Sequence, residues 1–296
     1  MGEKYDNCPV CSSSKLKVKY KNVKSDAKDV TFDIAECENC KLQFVLNKVS
    51  KEFLDNYNAL DTYVSNYVYC DDNNNENLKF YYRKLKEMIT KRFKISGKIL
   101  DIGCSAGCFL EIMTEDSSWD CYGVEISPKT VAIAKSKFGE NIYEGSIETF
   151  EAEEGSFDVV SLQDSLDHMV NPKAVLEKCY RLLKKGGLLI VKAHNISCLY
   201  SKISGRNFYA IIPPCHLFYF NKSSISKLLE VCNFKLSWFG FIPNLLKIKT
   251  IFYRLARYNE NSIFFKIYNL LDKTYIGNIN IKKDLHDIFT VFAIKE

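Results

Sequence analysis

Four cysteines and two carboxylates in this chain of 296 residues have the types and spacings that do chemistry. Cys8-Pro-Val-Cys11 and Cys37-Glu-Asn-Cys40 are two C-x-x-C knuckles. Four thiolates on two tight turns can close a tetrahedron around Zn²⁺, and a domain of about 40 residues needs such a staple because its own core is too small. A closed four-cysteine set leaves no open coordination position, so this zinc would be structural and catalysis must come from elsewhere. The carboxylates belong to a second feature, the stretch KILDIGCSAGCFL at 98–110 and the acid at Glu125.

A glycine loop between an apolar run and a helical pattern usually cradles a phosphate. Here Gly103 and Gly107 have the spacing G-x-x-x-G, and the third glycine of the dinucleotide fingerprint G-x-G-x-x-G is missing. Asp101, just before the turn, would repel a diphosphate but could orient the ammonium group of an amino acid. Glu125 ends CYGVEI, where a carboxylate at a strand tip can accept both hydroxyls of a ribose. An acid for an amino end, a close backbone approach and a ribose clamp together describe S-adenosylmethionine better than NAD.

These residues need a scaffold, and the pattern around them supplies one. The apolar runs KILDI, CYGVEI, FDVVSLQ and GLLIVKAH alternate with the helical segments GCFLEIMTE, PKTVAIAKSKF and PKAVLEKCYRLLKK. That alternation predicts an α/β fold with a Rossmann-like, doubly wound parallel sheet over 97–296, and ligands in such sheets bind at the carboxyl ends of the strands. Ahead of it lie the predicted zinc ribbon, 1–48, and a tyrosine-rich helical connector, 49–96, with Tyr57, Tyr63, Tyr67 and Tyr69, the break DDNNNEN and the amphipathic segment LKFYYRKLKEMITKRF. Residues 242–286 read as a helical insertion. Within it Leu245, Leu246, Ile248, Ile251, Phe252 and Leu255 form an apolar stripe flanked by Lys247, Lys249, Arg254 and Arg257, a basic amphipathic helix that can lie on a membrane, form a lid or pack against a second copy.

The totals exclude little. Lys and Arg exceed Asp and Glu, 41 against 36, too weak a balance to imply nucleic acid without clustering. No window has the roughly 18 apolar residues of a membrane span, and the N-terminus carries no signal-peptide pattern, which together predict a cytoplasmic protein. The remaining eight of the twelve cysteines are scattered and read as reduced, buried, small hydrophobes.

Taken in order, DIGCSAG, GVEIS, EGSIE, FDVVSLQDSLDHM and LKKGGLLIV resemble the successive motifs of class I S-adenosylmethionine-dependent methyltransferases, and DIFTVFAIKE resembles the last, antiparallel strand of that fold. The resemblance implies that Asp101, Gly103, Ser105 and Gly107 form the methionine-binding loop and that Glu125 is the ribose acid. It also implies that Ile126 stacks on adenine, that Ser146 and Ile147 bracket the adenine edge, and that Gln163 and Asp164 lie beside the methyl group. Ser146 stands where the family more often has Asp. The ribbon, the connector and PPCHLFYFNKSSISKLLEVCNFK are further similar to zinc-ribbon methyltransferases of bacterial surface-polysaccharide pathways, which implies a sugar or sugar-linked acceptor and O-methylation.

A sugar hydroxyl must lose its proton as it attacks, work that suits histidine near neutral pH. Of four histidines, His286 reads as a surface loop residue and His194 follows the fifth strand of the sheet. His216, in a proline-fixed aromatic segment that the family fold places over the acceptor, is the first candidate for base or acceptor ligand, and His168 the second. Two other functions compete: an RNA methyltransferase whose ribbon grips RNA, and a non-catalytic S-adenosylmethionine-binding module. Against the first, KLKVKYKNVKSDAKDV is interrupted by acids and no N-P-P-Y-type motif follows strand four.

Overall fold

The computed structural model describes residues 3–25, 30–58, 76–115, 119–256 and 261–296. Tyr63, Tyr67, Tyr69 and Cys70 of the connector lie outside the described residues, as does most of the DDNNNEN break. The chain begins with an antiparallel hairpin, β1 (Leu16–Lys24) and β2 (Thr31–Cys37), to which β3 (Gln43–Val45) adds. Next come α1 (Lys51–Asn58) and α2 (Glu76–Glu87), the latter running into a π-helical turn at Met88–Phe93. The amphipathic segment of the connector is therefore helical as its spacing predicts, with Tyr81, Tyr82, Leu85 and Ile89 buried against the sheet that follows.

That sheet starts with β4 (Gly97–Ile102), α3 (Cys108–Thr114), β5 (Trp119–Glu125), α4 (Pro128–Phe138) and β6 (Ile142–Glu144). It continues with β7 (Phe157–Gln163), α5 (Pro172–Leu182) and β8 (Leu183–His194), then α6 (Leu199–Ser204), β9 (Phe218–Tyr219), α7 (Lys222–Val231) and β10 (Phe234–Gly240). The segment beyond holds β11 (Asn244–Lys247), α8 (Ile248–Ala256), α9 (Ile263–Asp272), α10 (Tyr275–Asn278) and β12 (Asn280–Lys283), and β13 (Ile288–Lys295) closes the chain.

The large sheet has seven strands in the order β10-β13-β8-β7-β4-β5-β6. β4 to β8 pair in parallel, and β13 runs antiparallel to both β8 and β10. Parallel strands covered on both faces need continuous apolar runs, and Ile99, Leu100, Val159, Val160 and Leu188–Val191 are all sealed from solvent. The α/β doubly wound architecture is thus the one the alternation predicts. The order in which successive strands are added reverses at β4, which lies between β5 and β7, so the crevice for a ligand opens beyond the carboxyl ends of β4 and β7.

Two features depart from the linear reading. The stripe Leu245–Leu255 is not one helix, because Asn244–Lys247 pairs as a strand with Asn280–Lys283 and the helix starts only at Ile248. And the N-terminal sheet is completed by a strand from far along the chain. β9 pairs with β3, Gln43 opposite Tyr219 and Phe44 opposite Phe218, to give the order β1-β2-β3-β9. Among the described residues no helix is long and apolar enough to cross a membrane.

Candidate active site

Asp101 sits in β4 between Gly123 of β5 and Ser161 of β7, almost fully buried. Burial pushes its carboxyl up to about 8, against a hydrogen bond from Ser161 and with help from the nearby Glu125 charge. The Ser161 hydroxyl in turn accepts from the Gln163 amide at 2.9 Å. The chain then turns through Gly103 (φ +76°), Ser105 (φ +50°) and Gly107 (φ +81°) into α3. At Gly103 a Cβ would fall 2.9 Å from Ser165 Cβ, and at Gly107 2.8 Å from the Phe138 ring. Glycine is needed at both positions for conformation and for space.

Glu125, at the tip of β5, reaches back to this loop. One carboxylate oxygen accepts from the Ser105 amide at 2.9 Å, the other from the amides of Ile126 and Ser127 at 3.0 and 2.9 Å. These bonds fix the carboxylate against the loop and take three of its roughly four acceptor positions, leaving about one, on the oxygen bonded to Ser105. Beside it Ile126 is 51% exposed, an apolar side chain at a strand tip with a face open to a flat ring. Ile147 is buried and Ser146 begins the turn after β6, its carbonyl accepting from the amides of Thr149 and Phe150.

Four buried oxygens along this edge have no hydrogen-bond partner: Asp101 Oδ1, Gln163 Oε1, Asp164 Oδ1 and Asp167 Oδ1. They lie on β4, β7 or the turn after β7; the oxygens of Gln163, Asp164 and Asp167 are acceptors, and that of Asp101 becomes one when its carboxyl ionises. An unpaired buried acceptor costs about 1–3 kcal/mol, so four such oxygens on one edge mark a place built for donors or positive charge. Asp164 (φ +56°) is partly neutralised by Lys192 of β8, which pairs with its other oxygen and lies 4.4 Å from the Tyr81 ring centroid. An ammonium group and a sulfonium fit this donor demand, and the glycine loop and Glu125 fit an amino-acid tail and a ribose. The residues present therefore fit S-adenosylmethionine. A cavity of about 550 Å³ lies elsewhere, at the opposite ends of the strands near Lys98, Tyr122 and Phe157, with none of these groups in its lining.

The turn after β7 carries the second half of the site. Ser165 bonds the Ile102 carbonyl at 2.8 Å, which holds the turn against the glycine loop. Asp167, completely enclosed, then meets three histidines: His194 Nδ1 at 3.1 Å, His168 Nε2 at 3.8 Å and His216 Nε2 at 3.9 Å. Burial pushes the Asp167 carboxyl up, and the imidazoles of His216, His168 and His194 outweigh it, holding the group well below the usual carboxylate range. Burial holds His216 down to about 3 despite the neighbouring Asp167 charge, so its ring is neutral. Its Nδ1–H donates to the Ala210 carbonyl at 2.7 Å. The sequence thus brought His168 and His216 to one place, ring centroids 4.6 Å apart. His216 is the enclosed member, whereas His168 and His194 keep 28% and 17% of their side chains exposed. His286 is exposed and stacks on Phe241.

The histidine segment is braced by the ribbon. Leu217 donates to the Asp167 carbonyl at 2.8 Å and accepts from the Val45 amide at 2.9 Å, and Asn221 bonds the Lys41 carbonyl at 2.7 Å. In the ribbon itself Cys8 and Cys40 sulfurs are 3.6 Å apart, as are those of Cys11 and Cys37. A disulfide would need about 2.05 Å, while sulfurs each about 2.3 Å from one ion stand about 3.8 Å apart. The four sulfurs form one compact group. Each knuckle closes through a left-handed residue, Ser12 and Lys41, right after its second cysteine.

The strand order, the turn with two constrained glycines and the acid at the next strand tip define an adenosyl-binding domain of the class I S-adenosylmethionine-dependent methyltransferase type. A family model described as a methyltransferase domain matches residues 75–237, and the chain belongs to that family. Over 116 residues it is 30% identical to the ubiquinone biosynthesis O-methyltransferase of Xanthomonas oryzae pv. oryzae, covering 37% of this chain and 48% of that protein. The protein of the same name from Xanthomonas campestris pv. campestris is 29% identical over the same length. The chain spans about half the length of the curated relatives it matches. Among solved structures, the PH0226 protein of Pyrococcus horikoshii OT3 shares the fold, with a TM-score of 0.51 and 21% identity over 62% of this chain and 94% of that one.

Sequence reasoning passed over Asp167, Lys192, Ala210 and Cys215. Asp167 was in view, beside His168 in SLDHM, but nothing local says that His194 and His216 converge on it. Cys215 Sγ lies 3.6 Å from His168 Nδ1.

Proposed function

We propose that the protein transfers a methyl group from S-adenosylmethionine to a hydroxyl oxygen of a sugar or sugar-linked group, in the making of a bacterial surface polysaccharide. The observation that carries the reading is the row of four unpartnered buried oxygens at the carboxyl edge of β4 and β7, next to the Glu125 clamp. The O-methyltransferase name of the curated relatives and the ribbon's resemblance to polysaccharide-pathway enzymes support the acceptor atom and class.

When bound, S-adenosylmethionine supplies a methyl carbon on a sulfonium, a leaving group that departs as a neutral thioether. The chain's part is alignment, exclusion of water and removal of one proton. Asp101 and the loop Gly103–Gly107 hold the amino-acid end, Glu125 the ribose hydroxyls, and Ile126, Ser146 and Ile147 the adenine. Gln163 and Asp164 would lie beside the methyl group. An acceptor hydroxyl in this position would give up its proton to His168, whose ring is the most exposed of the three around Asp167. His194, whose Nδ1 bonds Asp167 at 3.1 Å, fixes the position of Asp167 and through it of His168, while His216, enclosed and bonded to Ala210, packs beside them. The four ribbon sulfurs hold a structural Zn²⁺.

Methyl transfer from labelled S-adenosylmethionine to nucleotide-sugar and oligosaccharide acceptors tests this directly. His168→Ala is expected to lower kcat by about 10²–10³ while cofactor affinity stays within twofold. Full turnover in that variant removes His168 as the base.

A further inference from the structure

We propose that Asp167, His194 and His216 form a binding site for a divalent transition-metal ion, separate from the ribbon. The three residues come from different segments, the turn after β7, the end of β8 and the loop before β9, and their ligand atoms lie within 4.8 Å of one another. The Asp167–His194 and Asp167–His216 separations are 3.1 and 3.9 Å. Nitrogen and oxygen ligands each about 2.0–2.1 Å from one ion stand about 3.3 Å apart in a tetrahedron, so a small inward movement of His216 closes the set.

Hydrogen bonding gives an independent reason. The Nδ1 proton of His216 is committed to the Ala210 carbonyl, so its Nε2 presents a lone pair toward an oxygen of Asp167. Asp167 Oδ1, also buried, has no hydrogen-bond partner. The Asp167 oxygen that faces His216 Nε2 has only the His194 Nδ1 proton at 3.1 Å, and the other oxygen has only His168 Nε2 at 3.8 Å, so a cation drawn into this cluster of acceptors would satisfy them together. The Ala210 carbonyl does for His216 what outer-shell acceptors do for metal-bound imidazoles: it fixes the tautomer and aims the free nitrogen. His194 joins the set when its proton moves from Nδ1 to Nε2, at the ring's partly exposed side.

Two imidazoles and one carboxylate suit Zn²⁺, Co²⁺, Mn²⁺ or Fe²⁺ rather than Mg²⁺ or Ca²⁺, which prefer all-oxygen sets. Three protein ligands leave coordination positions open. On the methyltransferase reading, these would receive oxygens of the acceptor and lower the pKa of the hydroxyl to be methylated, a consequence that rests on that reading whereas the metal site does not.

Cobalt titration of the full chain, with no cofactor or acceptor present, tests the site. Co²⁺ on the ribbon thiolates gives an intense near-ultraviolet charge-transfer band. A further equivalent is expected with visible d–d absorption and no growth of that band. His194→Gln and Asp167→Asn should each weaken this equivalent by about 100-fold or more, with the thiolate band and the unfolding temperature of His194→Gln preserved. Failure of the wild-type chain to take up a non-thiolate equivalent of Co²⁺ or Zn²⁺ overturns the proposal, as does an equivalent that persists in both variants.

Discussion

The two halves of the site are built in opposite ways. The cofactor half is local: Asp101, Gly103, Ser105 and Gly107 follow one another along one strand and its turn, and Glu125 ends the neighbouring strand. The half proposed for the acceptor is assembled: Asp167 and His168 from one turn, His194 from the end of β8, and His216 from a loop held on one side by the Asp167 carbonyl and on the other by the ribbon. A local site tolerates change elsewhere in the fold, whereas an assembled one depends on every segment that brings its members together. The ribbon is one of those segments, since β9 belongs to its sheet and lies just past His216.

The largest effect should come from cutting that support. Cys40→Ser, or chelation of the zinc proposed for the ribbon, is expected to unfold the N-terminal sheet, abolish turnover and leave much of the chain insoluble, because structural zinc carries most of the folding free energy of such small modules. If the halves differ as described, cofactor affinity in any soluble fraction falls far less than turnover. Equal loss of both would erase the distinction. Metal content and calorimetric titration on the same sample give the comparison.

A mid-sized effect is expected within the cofactor half. Gly103→Ala would place a Cβ 2.9 Å from Ser165 at a φ of +76°, costing about 1–3 kcal/mol of stability and displacing the loop from its ligand. Thermal unfolding with and without S-adenosylhomocysteine reads both terms. The variant should lose most of the ligand-induced stabilisation, and a variant that keeps it would show the loop to be less constrained than its geometry indicates.

The last effect is a pH dependence from Asp101. Its folded-state value of about 8 lies above its unfolded value, so the native state holds a proton that the unfolded state has lost. This contribution therefore favours the folded form below about pH 4 and declines as pH rises toward 8. A cationic ligand reverses the preference. Affinity for S-adenosylhomocysteine, through its ammonium group, should rise with pH by at most about tenfold per unit and level off above 8. Asp101→Asn should flatten both profiles, and titrations in buffers of different ionisation enthalpy would show proton release on binding only in the wild type.

The same contrast explains what could be read from the sequence. Strand-tip acids, constrained glycines and paired cysteine knuckles are visible because their partners lie a few residues away or at the end of the next strand. Alternating apolar runs and helical segments likewise gave away the parallel sheet. Nothing in Phe218–Tyr219 announces a strand that will join a sheet made of residues 16–45, because two residues carry no periodicity. Asp167 looks like any acid beside a histidine until the sheet order puts β8 next to β7 and brings His194 to it. The break in the Leu245–Leu255 stripe was hidden for the same reason, since the pairing that makes Asn244–Lys247 a strand comes from 280–283.

The central claim, that the carboxyl edge of β4, β5 and β7 is an S-adenosylmethionine site, is tested most directly by calorimetric titration of the purified chain with S-adenosylhomocysteine at pH 8. One equivalent is expected to bind, with Glu125→Ala losing about 100-fold in affinity, the worth of the charged hydrogen bonds to a ribose. No binding, or binding that is unchanged in Glu125→Ala and Asp101→Asn alike, would contradict it.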